Sequence, residues 1–256
     1  MKDTIIIKNA NIKLNDPILI VGLPGIGNVG KIVAAHLKKE FNAKRIATLY
    51  SPHLPNQVLM TKKGTIRMMS NKFYLIRTKN IKNDIVILTG DFQPMSPEGQ
   101  YDINERITEF FVNELNGKFI YTIGGYISNA GDMKKPRVFG NVTNTALIKE
   151  LKDKGVVFGE SKGFIWGAAG MIPVFGKRHG IEGACLMGEA FVDYDAQAAK
   201  SVINILSEIL NLKIKTDELD VIIKKVADKI NKMEGKMNNP MPQLPQESDH
   251  GMPYIR

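Results

Sequence analysis

A glycine-rich run near the amino terminus has the residue spacing of a phosphate-binding loop. Gly25, Gly27 and Gly30 spell the G-x-G-x-x-G motif of dinucleotide sites, and the same run followed by Lys31 spells most of a P-loop. The dinucleotide motif needs an acidic residue about 20 positions further on to hold the ribose, and that part of the chain has none. The P-loop needs Ser or Thr after the lysine to hold Mg²⁺, where Ile32 stands. Two interpretations stay open: a tight turn that packs a helix against a strand, or a loop that binds a nucleotide or anion.

A second motif, Gly159-Glu160-Ser161-Lys162-Gly163, matches the G-x-S-x-G elbow that presents a nucleophilic serine. The acid and then the histidine of such a site follow the serine, and only His250 stands late enough in the chain. His250 lies in a segment predicted to be flexible, which cannot hold a base within the ~3 Å that proton transfer needs. We interpret this match as chance.

The residue types needed for a metal site are also poorly placed. The four histidines are scattered without an i, i+4 pair, and Cys185 is the only cysteine, so no thiolate site is possible. Paired carboxylates such as Asp193 and Asp195 suit the start of a helix, where they cap free N–H groups. We predict no catalytic residue, no metal site and no cofactor, and therefore a protein that is not an enzyme.

Positive charge is concentrated in one segment of a chain whose net charge is +9. No acidic residue occurs between Glu40 and Asp84. The basic residues of this block are Lys44, Arg45, Lys62, Lys63, Arg67, Lys72, Arg77, Lys79 and Lys82. Such a block steers acidic partners, whether nucleic acid or an acidic protein face, or forms a solvated basic surface. Tyr50, Phe73 and Tyr74 accompany it without the glycine–aromatic pattern of an RNA-recognition strand. Nucleic-acid binding stays open as an alternative, and no specific nucleic-acid partner is predicted.

The bulk composition indicates a cytoplasmic protein. A single cysteine excludes an internal disulfide and favours a reducing compartment. The amino terminus carries an early acid and an apolar run too short for a signal peptide. No stretch approaches the ~18 uninterrupted apolar residues of a membrane span, so we predict no membrane partner.

Strand and helix patterns alternate along the chain and predict an α/β fold. Short apolar runs predict strands at 18–21, 46–50, 85–89, 119–123, 156–158, 164–166 and 181–186. Apolar periodicity predicts helices at 28–40, 99–115, 142–152, 195–210 and 216–233. Between Gln57 and Arg77 the pattern changes to a hairpin insert, with Lys63 and Gly64 at its turn. We expect a mostly parallel sheet covered by helices, in one domain over residues 1–234.

The carboxyl-terminal segment, residues 235–256, is predicted to be a flexible Pro-rich tail. Its prolines and polar residues cannot bury enough apolar surface to offset the entropy of ordering. The tip nevertheless carries Tyr254 and Ile255 beside the terminal carboxylate, which favours a peptide that docks in a pocket of another protein. A frayed end with an accidental tyrosine is the alternative.

Several short motifs follow one another along the chain in a characteristic order. They are Gly22–Gly30, Gly90–Gln93, Gly124–Tyr126, Gly163–Gly170, two closing helices and the tyrosine-bearing tail. Together they resemble the archaeal branch of the proteasome assembly chaperone family, in its tail-bearing form similar to proteasome assembly chaperone 2. The resemblance covers roughly residues 5–235 and the tip. It implies a three-layer α/β fold similar to nucleoside phosphorylases without their active site. It also implies a homo-oligomer, which the apolar faces of the closing helices would suit.

The resemblance further implies a partner and a docking peptide. In this family a carboxyl-terminal hydrophobic–tyrosine–any-residue tripeptide enters pockets between proteasome α subunits, without ATP. Binding to α subunits or to the core particle is therefore implied, and a paralogous chaperone is left open as a further partner. Tyr254 would be the anchor, Pro253 and Ile255 its apolar flanks, and the Arg256 carboxylate the ionic contact. In the family pattern the tyrosine is penultimate, whereas Arg256 adds one residue here and moves the carboxylate one position along.

Overall fold

The central β-strands are apolar and buried, as expected for strands that are covered on both faces. A computed structural model describes residues 1–9, 12–79, 81–127, 131–159 and 163–225. In this part of the chain the strands are β1 (Ile5–Lys8), β2 (Ile18–Val21), β3 (Lys44–Tyr50), β4 (Val58–Met60), β5 (Ile66–Met68), β6 (Asn71–Ile76), β7 (Ile85–Gly90), β8 (Phe119–Ile127), β9 (Val138–Val142) and β10 (Glu182–Ala190).

Eight of these described strands form one mixed sheet in the order β1-β3-β6-β7-β2-β8-β10-β9. In its centre β2 runs parallel to both β7 and β8, and β8 runs parallel to β10. Towards the edges β1, β3 and β6 join antiparallel, as does β9 against β10. The prediction of a mostly parallel sheet is therefore right for the centre and wrong for the edges. Short connections such as the one between β6 and β7 bring the chain straight back, which only an antiparallel pair allows.

The hairpin insert is confirmed, over a shorter span than predicted. β4 and β5 pair antiparallel as a separate two-stranded unit, and Gly64 takes a positive φ of 76° in the turn between them. The third apolar run of the predicted insert is β6, which belongs to the main sheet instead. The hairpin therefore leaves the sheet after β3 and returns to it at β6.

Helices pack on both faces of the sheet and create two separate apolar cores. They are α1 (Val29–Glu40), α2 (Pro97–Glu109), α3 (Leu147–Asp153), α4 (Ala168–Arg178) and α5 (Ala196–Leu210), and residues 217–225 are also helical. A 3-10 turn (Ile26–Asn28) precedes α1, and a π-helical turn (Phe110–Glu114) continues α2. The alternation of strand side chains divides the cores, since Leu19 and Val21 of β2 face α2 and α4 while Ile20 faces α1 and α5.

Three predicted elements differ from the structure. The helix predicted at 142–152 begins only at Leu147, as α3, because Val142 is the last residue of β9. Residues 164–166 were predicted as a strand, but they form a coil that leads into α4. Gly167 caps this helix with a φ of 71°, and the following alanines favour helix over strand. The strand at 156–158 is reduced to one bridge between Phe139 and Val157.

The apolar face of α5 is covered by the protein itself. Val202, Ile203 and Leu206 are fully buried in the core shared with α1. This face of α5 is therefore unavailable as a surface for the homo-oligomer that the family resemblance implies. The predicted helix at 216–233 is confirmed over 217–225, and its remainder lies outside the described residues, as does the predicted tail. Among the described residues no helix combines the length and apolarity of a membrane span.

An ion pair with a buried carboxylate and an exposed guanidinium fixes the amino-terminal segment to the sheet. Asp84, just before β7, accepts two hydrogen bonds from Arg77, at 2.7 and 2.9 Å, and one from the backbone N–H of Asn15. Its side chain is almost fully buried, and the Arg77 guanidinium holds the pKa of the Asp84 carboxyl below its ordinary range. Because the folded state lowers this pKa, the pair stabilises the protein above the ordinary aspartate range and ceases to do so as the pH falls through the lowered value.

We expect Asp84→Asn to lower the free energy of unfolding at neutral pH by about 1 to 3 kcal/mol, since the bonds to a charged guanidinium are lost. The difference from the wild type should shrink as the pH falls, because the wild-type carboxyl then becomes protonated too. Urea unfolding at a series of pH values measures this. Glu218→Gln removes the exposed pair with Lys39 and should change little, and a pH-independent Asp84→Asn effect would contradict the assignment.

Candidate functional site

At the glycine loop that leads into α1, the helix packs closely against two strands. A Cβ on Gly22 would lie 2.2 Å from the carbonyl oxygen of Gly30, and one on Gly30 would lie 2.5 Å from the carbonyl oxygen of Ile123. Both approaches are far too short for any side chain, so these glycines let α1 touch β2 and β8 directly. The turn interpretation accounts for both positions without a ligand.

A buried carboxyl group, that of Asp195, lies beside the start of α1. Gly27 and Asn28 have positive φ values of 59° and 49°, and the Gly27 carbonyl accepts from the backbone N–H of Asp195. The Asp195 carboxylate caps α5 by accepting from Ala198, as predicted for this residue. A Cβ on Gly27 would lie 3.4 Å from the Asp195 Cβ, so a buried carboxyl group stands beside the loop. The carboxyl group is held there by the backbone N–H groups of Phe191 and Ala198.

The loop after β7, residues Gly90–Gln93, connects three parts of the molecule. Asp91 accepts two hydrogen bonds from Arg67 of the hairpin, at 2.6 and 2.8 Å. Gln93 donates to the Pro24 carbonyl at 2.6 Å and accepts from the backbone N–H of Ala168 at 3.0 Å. One loop therefore positions the hairpin, the glycine loop and the start of α4. We call residues 90–93 the connecting loop.

A cavity of about 520 Å³ opens at the carboxyl ends of β2, β8 and β10, between the starts of α2 and α4. Its size lies in the usual range of ligand pockets. The floor is backbone of Gly124 and Gly125, and Leu23, Met171 and Met187 contribute apolar walls. None of the lining residues carries a charged side chain. We call this cavity the edge pocket.

Large apolar side chains are exposed to solvent around the mouth of the edge pocket. Phe164 and Trp166 are 91% and 86% exposed, and Met95 and Tyr101 are also exposed. All four line the cavity. Concentrated exposure of this kind marks an interaction surface rather than an ordinary solvated one.

The hairpin presents a second exposed apolar surface. Val58 pairs with Met68 and Met60 with Ile66, so the four side chains share one face, and all of them are exposed. The opposite face is anchored, because Leu59 packs on the core beneath α2 and Arg67 binds Asp91. We call Val58, Met60, Ile66 and Met68 the hairpin face.

The basic block does not form one free cationic surface. Arg67 and Arg77 are neutralised by Asp91 and Asp84, and the hydrogen bonds from Arg67 and Ser70 outweigh burial to hold the pKa of Asp91 below its ordinary range. The aromatic side chains are also committed. Phe73 is fully buried, 4.9 Å from the ring of Phe110, and Tyr74 lies beneath the Lys38 ammonium at 5.0 Å. Base stacking on Phe73 is therefore excluded.

One serine–histidine–aspartate set, which the sequence analysis missed, lies at the end of β3. The His53 ring is 3.8 Å from the Asp102 carboxylate, and the Ser51 hydroxyl accepts from the backbone N–H of His53. Thr4 stands between Ser51 and Asp102 and bonds both. The imidazole thus does not face the serine oxygen, so this set lacks the geometry for activating a nucleophile.

The remaining reactive side chains have structural partners. His36 bonds the Lys215 carbonyl and His179 bonds Glu105, both at 2.7 Å. Cys185 is buried, and burial raises the pKa of its thiol to about 11. Within the described residues no group of three potential metal ligands occurs.

The predicted partner-binding residues Pro253, Tyr254, Ile255 and Arg256 lie outside the described residues, as do Ser161 and His250. They remain predictions. The edge pocket brings together segments that the sequence analysis singled out separately, namely the glycine loop, the connecting loop and the run from Gly163. Its aromatic rim was missed because residues 164–166 were interpreted as a short strand.

We expect Gly30→Ala to destabilise the protein by about 1 kcal/mol or more, because the new methyl meets backbone that cannot move away. This should hold although alanine is the better helix former. Gly25→Ala is the matched control, since its Cβ would have nothing nearer than 3.7 Å. Chemical denaturation measures both. A thermal shift with ATP, NAD or phosphate that Gly25→Ala abolishes would instead support a ligand loop.

Comparison with known proteins agrees with this geometry. The PAC2 family model matches residues 19–234. The uncharacterized protein MJ1210 of Methanocaldococcus jannaschii is 36% identical over 88% of this chain and 86% of its own length. Among solved structures, Pyrococcus furiosus PbaB, an archaeal proteasome activator, is similar with a TM-score of 0.85 and 37% identity, over 91% of this chain and 100% of that one.

A second solved structure has the same fold at lower identity. Pyrococcus furiosus PbaA, an archaeal homolog of proteasome-assembly chaperone, is similar with a TM-score of 0.76 and 25% identity, over 92% of this chain and 93% of that one. The fold, the packed glycine loop and the family match lead to one conclusion. This chain belongs to the PAC2 family.

Proposed function

We propose that this protein binds proteasome α subunits or the assembled core particle without ATP, as an assembly chaperone or core-particle-binding protein. The observation that carries the proposal is the likeness to PbaB, an archaeal proteasome activator, over 91% of the chain. The edge pocket and the hairpin face support a binding role, since both expose apolar side chains of the kind found at interfaces.

The docking element is the terminal peptide Pro253-Tyr254-Ile255-Arg256. Tyr254 is the anchor. Its apolar ring enters the pocket, and its hydroxyl group lies at the end of the pocket that is open to solvent. Pro253 and Ile255 flank it, and the carboxylate of Arg256 makes the ionic contact. Arg256 places this carboxylate one residue beyond the family spacing, so the wild-type peptide docks more weakly than a peptide ending at Ile255.

Avidity raises this weak docking to useful affinity. A single short peptide buries little surface, but several copies on one oligomer face several α-subunit pockets at once. The tether of residues 235–256 spans roughly 25 Å as a flexible coil, which lets each peptide reach off the body. Binding of one peptide then presents the next at an effective concentration in the millimolar range.

The hairpin face supports assembly into a homo-oligomer. A two-stranded hairpin is only marginally stable in water, and here four apolar side chains of one face are exposed. In a symmetric dimer the hairpin face of one copy packs on the hairpin face of the other and covers these side chains. Such a contact uses the same surface patch on both copies. Lys62 and Lys63 at the turn remain in solvent at the rim.

We expect Tyr254→Ala to weaken binding to purified proteasome α subunits about 30-fold per site, the effect of losing a buried aromatic anchor. Native mass spectrometry of the mixtures measures this. Removing Arg256 should tighten binding, because the carboxylate then takes the family spacing. Tyr194→Ala, at an exposed tyrosine of the body, is the control and should bind as the wild type does. Equal binding by Tyr254→Ala would show that the folded body makes the contact, and no binding by any variant would remove the proposed partner.

We expect the double variant Met60→Asp, Ile66→Asp to dissociate the oligomer, raising its dissociation constant at least about 100-fold because two buried apolar contacts become charged. Light scattering coupled to size exclusion gives the mass of the particles. Lys62→Asp, at the exposed turn, should leave that mass unchanged. An unchanged mass in the double variant would place the subunit contact elsewhere.

A further inference from the structure

The edge pocket has an apolar interior, and its rim exposes apolar side chains to water. This exposure is unfavourable unless another segment covers the rim. Phe164 and Trp166 stand almost fully exposed beside a cavity whose lining carries no charged side chain. Ile123 and Ala168, which also line the cavity, are buried in the cores on either side of the sheet, whereas Phe164 and Trp166 have no comparable cover. The pocket and its rim therefore fit an uncharged, partly aromatic segment.

The chain ends in such a segment. Its last residues include Met252-Pro253-Tyr254-Ile255, which carry no charge, and the first charges are those of Arg256 and the terminal carboxylate. Tyr254 suits stacking against Phe164 and Trp166, and the methionines that line the walls adapt readily to an irregular guest. The charged end remains at the mouth, in water.

The length of the chain beyond the described residues permits this contact. Residue 225 belongs to the helix that packs on the α1–α5 face, where Glu218 binds Lys39 and Asp220 binds Lys200. From there 31 residues, 226–256, continue to the tip. Fully extended, 31 residues reach at most about 100 Å. A body of this size has a radius of gyration of about 17 Å, so the length of the chain permits its end to meet the pocket at the sheet edge.

Tethering favours this occupant over free ligands. A peptide attached to the same protein reaches an effective concentration on the order of 1 mM at a site within its span. A contact with a dissociation constant of about 1 mM is then half occupied, whereas a free peptide at micromolar concentration leaves the pocket empty. Weak affinity is therefore enough for the tethered tail to occupy the pocket. A dilute free peptide of similar chemistry would leave it empty.

We propose that the edge pocket is a binding site for the carboxyl-terminal peptide of this chain, residues 252–256. The peptide docks with Tyr254 against Phe164 and Trp166 and is thereby withdrawn from other partners. If it also docks on the proteasome, as proposed above, the pocket competes with that partner for one peptide. Half occupancy lowers the apparent affinity of each tail about twofold.

Trp166 is the only tryptophan of the chain and reports on this site without labelling. We expect the chain ending at Gly251 to show water-like emission that acrylamide quenches readily. The full chain should emit at shorter wavelength, with quenching reduced by about half. A synthetic peptide of residues 252–256, added to the truncated chain, should restore the shift with half-saturation on the order of 1 mM. The same peptide with Tyr254→Ala should have no effect.

Two variants test the location of the contact. Phe164→Asp, at a fully solvated position, should abolish the response to the peptide. Val174→Asp, an exposed apolar position on α4 that does not line the cavity, should leave it intact. A response that does not change on dilution assigns the tail of the same copy, and one that falls on dilution assigns the tail of a neighbouring copy.

Identical emission and quenching in the full and truncated chains, with no response to the peptide, would overturn the proposal. A blue-shifted Trp166 in both chains would overturn it too, since another occupant would then fill the pocket. These measurements contain no proteasome. Loss of α-subunit binding in Tyr254→Ala alongside an unresponsive Trp166 would leave the proposed function standing and remove only the self-docking.

Discussion

The two hydrogen bonds of the Gln93 amide position most of the carboxyl edge of the sheet. The amide joins Pro24 of the glycine loop to Ala168 at the start of α4, two segments that lie on opposite sides of the edge pocket. A Cβ on Gly167 would lie 2.6 Å from the Gln93 oxygen, so the glycine before α4 is required for this bond to form. Asp91, two residues earlier, holds the hairpin in the same way. Without the connecting loop, neither exposed apolar surface would have a fixed orientation.

Much of the fold follows from local patterns, and the exceptions have physical causes. The apolar runs of β2 and β7 and the periodicity of α1 and α5 were predicted close to their observed bounds, because each pattern is strong within its own segment. β1 and β9 were missed since they are short edge strands, stabilised only by a neighbour far away in sequence. The antiparallel edges were missed for the same reason, as strand direction depends on the connection and not on the strand.

The site was predictable in its parts and not in its assembly. The Gly90–Gln93 motif could be read from the sequence, yet its meaning depends on Arg67, Pro24 and Ala168, which no local pattern connects to it. The phosphate-loop spacing lacks the acid of a dinucleotide site, and the contact of Gly30 with Ile123 gives a packing reason for that glycine. The strand prediction for the run from Gly163 was wrong because aromatic and aliphatic residues look the same in a sequence whether they form a strand or an exposed coil. Only burial separates them.

The register of β2 has a consequence for how this chain folds. Ile18 pairs with Ile85 on one side and with Phe119 on the other, so the central strand has no partner that is near in sequence. Contacts of such long range make folding slow, because a large loop must close before either pairing forms. During synthesis β2 waits until β7 and β8 have left the ribosome, and the hairpin is made within that interval. Until the sheet closes, the nascent chain exposes an unpaired apolar strand and then an apolar hairpin, which are the features that make incomplete chains prone to aggregation.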